Sequence, residues 1–228
     1  MEAVMEYKIL NYEKLKYVIR YPDGYKEGER YPVLFYFHGA GGRGENIDLI
    51  RNHPFFALTE KHESFKAICI APQCYANTWF DVFEQLQALM KWVYSSDFCD
   101  KERVYLMGAS MGGYATWQMA MSLPEFFAAI VPICGGGMYW NAHRLPDVPV
   151  WAFHGDSDRD VLPRETEHMV FRVKQCRGNA KLTIYENTEH DAWTPTFNNP
   201  EVFEWLLSNK KKKTVTLADV YDNVEQYG

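Results

Sequence analysis

Apolar residues in this chain fall into short unbroken runs closed by turn residues: Val33–Phe37, Ala67–Ala71, Val104–Met107, Ala129–Ile133, Val150–Phe153 and Leu182–Tyr185. Strands read this way when both faces of their sheet are covered. Ahead of them, the β-rich runs Met5–Leu10 and Leu15–Tyr21 flank Asn11-Tyr12-Glu13 and predict an opening hairpin. Between several of the runs the period changes to that of a helix. Over Phe80–Tyr94, the side chains of Phe83, Leu86, Leu89, Met90 and Val93 share one face. Tyr114–Met121, Glu165–Val173 and Glu201–Leu207 are further helical stretches. Strand–helix alternation predicts an α/β fold, a three-layer αβα sandwich around a mostly parallel, twisted sheet.

The length of 228 residues suits one domain, expected over residues 1–213. Residues 214–228 are polar and weakly periodic, a tail of unassigned role open to wrapping the domain, pairing with another chain or being mobile; a homodimer is among the expected partners. The net charge of −6 offers no broad basic field for nucleic acid. The one basic run, Lys210–Lys213, reads as a solvated helix end. No stretch reaches the ~18 apolar residues of a membrane span. Five cysteines, an odd number without C-x-x-C spacing, argue against a disulfide framework or a zinc site. Residues 1–30 lack a basic segment followed by an apolar one, so a cytoplasmic location is expected.

The chemistry concentrates after the third apolar run. Gly108, Ser110 and Gly112 form G-x-S-x-G between a predicted strand and a predicted helix. That is the setting of a nucleophile elbow, where small flanking residues let the chain turn sharply and hold the hydroxyl exposed. A serine hydroxyl needs a base, and the partners are expected in the order Ser, Asp/Glu, His. His168 falls within a helical pattern, and His154 ends a strand where local hydrogen bonds would hold it. His190 lies in the loop after the last strand and is the candidate base. The acid is expected in the loop His154-Gly155-Asp156-Ser157-Asp158-Arg159-Asp160. Spacing alone leaves its three carboxylates undivided. Their alternation resembles a calcium loop, but that pattern is incomplete, and neither a metal nor a cofactor is expected.

An oxyanion would need two N–H donors. Met111, next after the nucleophile, supplies one. The loop Phe37-His38-Gly39-Ala40-Gly41-Gly42-Arg43-Gly44 follows an earlier strand and supplies Ala40 as the other. It lacks the endings of a phosphate-binding loop.

Asp100–Gly113, Pro124–Ala129 and Pro132–Gly136 closely resemble bacterial α/β-hydrolase esterases, a group also described as predicted peptidases or phospholipase/carboxylesterase-like proteins. The chain is similar to the feruloyl and acetyl-xylan esterases of carbohydrate esterase family 1, and more distantly to dienelactone hydrolases. His38-Gly39-Ala40-Gly41-Gly42, Ala71-Pro72-Gln73, His154-Gly155-x-x-Asp158 and His190-Asp191-Ala192-Trp193 match in the same order, between about Tyr31 and Leu207. The resemblance implies the α/β-hydrolase fold, a serine esterase, and Asp158 as the acid among the three.

Gly137–Val148 is too short for a large lid, so an open site is expected, suited to short or polymer-attached esters. Aromatics gather near the predicted strand ends. Trp79, Tyr139, Trp140 and Trp193 are the candidate substrate contacts, since flat rings suit aromatic acyl groups and sugar faces. The expected partner is thus a small-molecule or saccharide-linked ester. A serine peptidase on the same residues, or a binding protein retaining the fold, are the alternatives.

Overall fold

The computed structural model describes residues 7–211. The expected boundary at residue 213 and the tail 214–228 lie outside the described residues, as do Met5 and Glu6 of the opening hairpin. The strands are β1 (Tyr7–Tyr12), β2 (Leu15–Arg20), β3 (Tyr31–Phe37), β4 (Ile68–Pro72), β5 (Cys99–Ala109), β6 (Ala129–Ile133), β7 (Val150–Gly155) and β8 (Ala180–Tyr185). They form a single sheet in the order β1-β2-β4-β3-β5-β6-β7-β8. β1 and β2 make the expected antiparallel hairpin, and β2 is antiparallel to β4. From β4 onward every pairing is parallel.

The helices are α1 (Asp48–Arg51), α2 (Pro54–Thr59), α3 (Phe83–Ser95), α4 (Met111–Ser122), α5 (Pro163–Gln175), α6 (Trp193–Asn198) and α7 (Pro200–Ser208). Strand side chains alternate between two cores because the side-chain period of a strand is two. On β3, Val33, Phe35 and Phe37 point to one core, with Leu89 of α3, Trp117 of α4 and Met169 of α5. Leu34 and Tyr36 point to the other, with Ile50 of α1, Phe55 and Phe56 of α2, Phe197 of α6 and Phe203 of α7. This is the three-layer αβα sandwich of the α/β-hydrolase fold.

Differences from the sequence reading lie at the ends of elements. β5 runs longer than its apolar stretch, and its polar start pairs with β3 at Tyr31–Cys99. The helical pattern from Phe80 opens as a tight turn, Trp79–Val82, capped by Thr78 and Asp81, before α3 begins. Between β6 and β7 stands only a short 3₁₀ helix, Tyr139–Arg144, so that connection carries no large lid. No described helix is long and apolar enough to cross a membrane.

Candidate active site

Ser110 sits between β5 and α4 with φ 55° and ψ −119°. A non-glycine residue there carries backbone strain of order 1–3 kcal/mol. The surroundings enforce it. A Cβ on Gly108 would strike the backbone of Gly112, and a Cβ on Gly112 would strike the carbonyl of Phe37. One on Gly113 would lie 2.5 Å from the carbonyl oxygen of Ile133. The glycines therefore let α4 descend against the ends of β3 and β6. The Ser110 N–H donates to Ile133 O at 2.9 Å, which ties the elbow to β6.

The histidine arrives from the loop after β8. His190 Nε2 lies 2.8 Å from Ser110 Oγ, and His190 Nδ1 lies 2.7 Å from Asp158 Oδ2. The other oxygen, Asp158 Oδ1, accepts the N–H groups of Asp160 at 2.9 Å and Val161 at 3.0 Å. Burial pushes the Asp158 carboxyl up, but the hydrogen bonds from His190 and Val161 outweigh it and hold the group below the ordinary carboxylate range. Asp156 and Asp160 do not reach His190 in this way. Asp156 Oδ1 accepts from Ser157 Oγ and from the Thr188 N–H, and so joins the acid loop to the histidine loop. Gly155 completes the joint, because a Cβ there would strike the carbonyls of Thr188 and Glu189. The nearest set of metal-type donors is Cys134, Asp158 and His190, and two of these are already committed to one another.

The oxyanion loop lies against the nucleophile. A Cβ on Gly39 would stand 3.4 Å from Ser110 Cβ. Ala40 opens a 3₁₀ turn over Ala40–Gly42, and Met111 is the first residue of α4. Neither N–H has a hydrogen-bond partner among the described residues, so both remain open to an oxygen placed beside Ser110.

Of the four aromatic candidates, Trp193 lines the cavity that contains Ser110 and His190, and its ring meets His190 edge-on at 5.3 Å. Tyr139 and Trp140 pair with each other on the exposed 3₁₀ helix and are not part of that cavity's wall. Trp79 is a correction: it is fully buried and cannot touch substrate. Its indole N–H donates to His38 O at 3.0 Å, and its ring packs on Phe37 and His38. His38 in turn bonds Gly39 O through Nδ1 at 2.6 Å and accepts the Cys74 N–H at Nε2 at 3.0 Å. Trp79 and His38 are therefore the frame of the oxyanion loop.

His154, at the end of β7, is held by local hydrogen bonds as its place in the chain led us to expect. It is fully buried, with Nδ1 2.7 Å from Thr166 Oγ1 and Nε2 3.1 Å from Asp158 Oδ2. Its place four residues before Asp158 was a usable signal of that contact.

The family model described as the Prolyl oligopeptidase family matches residues 73–137, a minority of the chain that includes the elbow. Feruloyl esterase C of Emericella nidulans is 29% identical over 156 residues, covering 65% of this chain and 56% of the relative. The chain thus spans little more than half the length of that relative. A solved structure, a thermostable esterase, is 29% identical with TM-score 0.79, over 91% of this chain and 63% of the other. A ferulic acid esterase structure matches in fold, with TM-score 0.68 at 13% identity, over 88% of this chain and 98% of the other. These likenesses agree with the resemblance carried by the motifs: the chain has the α/β-hydrolase fold and is similar to esterases.

Proposed function

We propose that the chain hydrolyses carboxylic esters through an acyl-enzyme on Ser110. The observation that carries this reading is the continuous relay from Ser110 Oγ through His190 to Asp158, with contacts of 2.8 and 2.7 Å. His190 Nε2 takes the hydroxyl proton as Oγ attacks the ester carbonyl, while Asp158 holds Nδ1–H and stabilises the imidazolium. The tetrahedral oxyanion is received by the N–H groups of Ala40 and Met111. The imidazolium returns its proton to the departing alkoxide, which leaves as the alcohol. Water then attacks the acyl-enzyme by the same route, releasing the acid and restoring Ser110.

Short-chain, aromatic or sugar-linked esters fit best. Among the described residues no large lid covers the cleft, and Trp193 offers one flat wall. The relative from Emericella nidulans is named a feruloyl esterase, which agrees with an aromatic acyl group. The Prolyl oligopeptidase match favours a second reading, peptide hydrolysis on the same residues.

The test is hydrolysis of p-nitrophenyl acetate and methyl ferulate beside a peptide p-nitroanilide, for wild type and Ser110→Ala. Ester turnover that falls on the order of a million-fold in the variant supports the proposal. Turnover that survives the substitution removes Ser110 from the chemistry. Faster cleavage of the anilide selects the peptidase.

A further inference from the structure

Four carbonyls of the oxyanion loop are held by side chains. Trp79 Nε1 donates to His38 O at 3.0 Å, His38 Nδ1 lies 2.6 Å from Gly39 O, and Gln73 Nε2 donates to Gly42 O at 3.0 Å. The fourth, Ala40 O, accepts from Nε of Arg43 at 2.9 Å. The same guanidinium donates through Nη1 to Asn77 O at 3.0 Å, which ties the loop to the connection after β4. Arg43 is exposed and lies outside the wall of the cavity that contains Ser110.

The bond at Ala40 O decides something the other three do not. The Gly42 N–H donates to Gly39 O at 3.1 Å, so Gly39–Gly42 is a β-turn with Ala40 and Gly41 at its centre. The peptide between two central residues can take two orientations related by a flip. One keeps both residues near helical angles; the other needs positive φ at the second, which suits glycine. That second residue is Gly41, with open space where a Cβ would go. Here the turn is 3₁₀ and Gly41 stays out of the positive-φ region. The bond from Gly42 to Gly39 forms in either orientation, and His38 O, Gly39 O and Gly42 O take no part in the flip. Only Ala40 O does, and it is held by Arg43, through Nε and, at a longer 3.3 Å, through the backbone N–H. In a helical turn the N–H groups face one end and the carbonyls the other. The flip would carry Ala40 O to the side of the Ala40 N–H, where it would repel an oxyanion beside Ser110.

We propose that Arg43 is a positioning residue that latches the Ala40–Gly41 peptide in the orientation the oxyanion requires. A charged donor suits the task, because its hydrogen bonds are roughly twice as strong as neutral ones. The anchor on Asn77 O fixes the guanidinium from the far side, so the latch is set before substrate arrives. The proposal rests on the ester-hydrolase reading, through Ala40 as an oxyanion donor.

The experiment measures kcat for p-nitrophenyl acetate and the rate of fluorophosphonate labelling of Ser110. The proteins are wild type, Arg43→Gln, Gly41→Ala and the double variant. Both reactions build charge on an oxygen in the oxyanion hole, and labelling needs no ester turnover. Arg43→Gln is expected to lower both rates about tenfold, the scale of a hydrogen bond from a charged group, with KM little changed. Its Tm should stay close to wild type, as at other surface positions. Alanine at position 41 resists positive φ, so in the Gly41→Ala background the same Arg43→Gln change is expected to cost about threefold or less. An equal loss in both backgrounds overturns the latch, as do rates that Arg43→Gln leaves unchanged. A wild type that labels but cleaves no ester removes the ester reading alone, and the labelling rates then decide the latch. A wild type that neither labels nor cleaves overturns both.

Discussion

Nε2 of His154 lies 3.1 Å from Asp158 Oδ2, the same oxygen that His190 Nδ1 approaches at 2.7 Å. The hydrogen bond of His154 Nε2 runs to Val161 O at 2.9 Å, so Asp158 Oδ2 is bonded by His190 and flanked by His154. His154 is anchored from behind, with Nδ1 2.7 Å from Thr166 Oγ1, and Thr166 donates to Gly135 O at 2.7 Å. The chain from the β6 end through α5 to the acid makes His154 a positioning residue for Asp158. Replacing it with leucine removes the bond to Val161 O, whose own N–H holds Asp158 Oδ1, and should lower kcat about two- to tenfold, the range for losing a neutral hydrogen bond. The check is kcat per titrated active site together with the pH profile of kcat/KM. If His154 merely fills space, active-site titration restores wild-type kcat and the profile does not move.

The frame of the oxyanion loop gives a second prediction. Trp79 Nε1 holds His38 O, and His38 holds Gly39 and Cys74. Trp79→Phe keeps most of the packing and removes the one N–H. Because oxyanion donors act mainly on the transition state, kcat should fall about tenfold with KM little changed. A rise in KM at constant kcat would return Trp79 to a role in substrate binding.

Much of this was legible in the chain. The fold followed from the apolar runs, because parallel strands buried on both faces leave an unbroken hydrophobic signature. Ser110 and His190 were legible because a strained elbow demands glycines at fixed spacing and because few histidines remain after it. Asp158 needed the family resemblance, since three acids in one turn are equivalent by spacing; only the folded chain shows Asp156 turned toward Thr188. Trp79 was misread because an aromatic near a strand end looks alike whether it faces the cleft or the core. The short helices α1, α2 and α6, of four, six and six residues, are too brief to show a period. His53, the N-cap of α2, was hidden with them.

The glycines of the site should differ sharply in tolerance. Gly112→Ala drives a methyl into the carbonyl of Phe37, a backbone atom that cannot swing aside. Destabilisation of about 3 kcal/mol or more is expected, at the upper end for overpacking. Gly41 lies in the neighbouring loop with open space where a Cβ would go. Gly41→Ala should stay within about 0.5 kcal/mol of wild type. Urea unfolding of the two variants compares them directly; equal stabilities would contradict the close approach of α4 to β3.

Acid should unfold the protein through its buried histidines. Burial lowers both His38 and His53 from 6.5 to about 4, His38 despite its bond to the Gly39 carbonyl. Between those values the unfolded chain binds protons that the folded chain refuses, so stability rises with pH across the window. The contribution is fully present above pH 6.5 and lost as pH falls through about 4. Each group accounts for at most about 3 kcal/mol, since a tenfold change in proton affinity is worth about 1.4 kcal/mol. The Asp158 carboxyl, held low, acts in the same direction further down the scale. Urea midpoints measured from pH 7 to 4 should therefore drop steeply, with uptake of about two protons on unfolding near pH 5. His53→Asn should remove about half of that slope and leave the rest to His38. A stability that stays level from pH 7 to 4 would mean that these rings charge freely in the folded state. The neutral tautomers fixed by the bonds of His38 to Gly39 and Cys74, and of His53 Nδ1 to the Phe55 N–H, would then fail together.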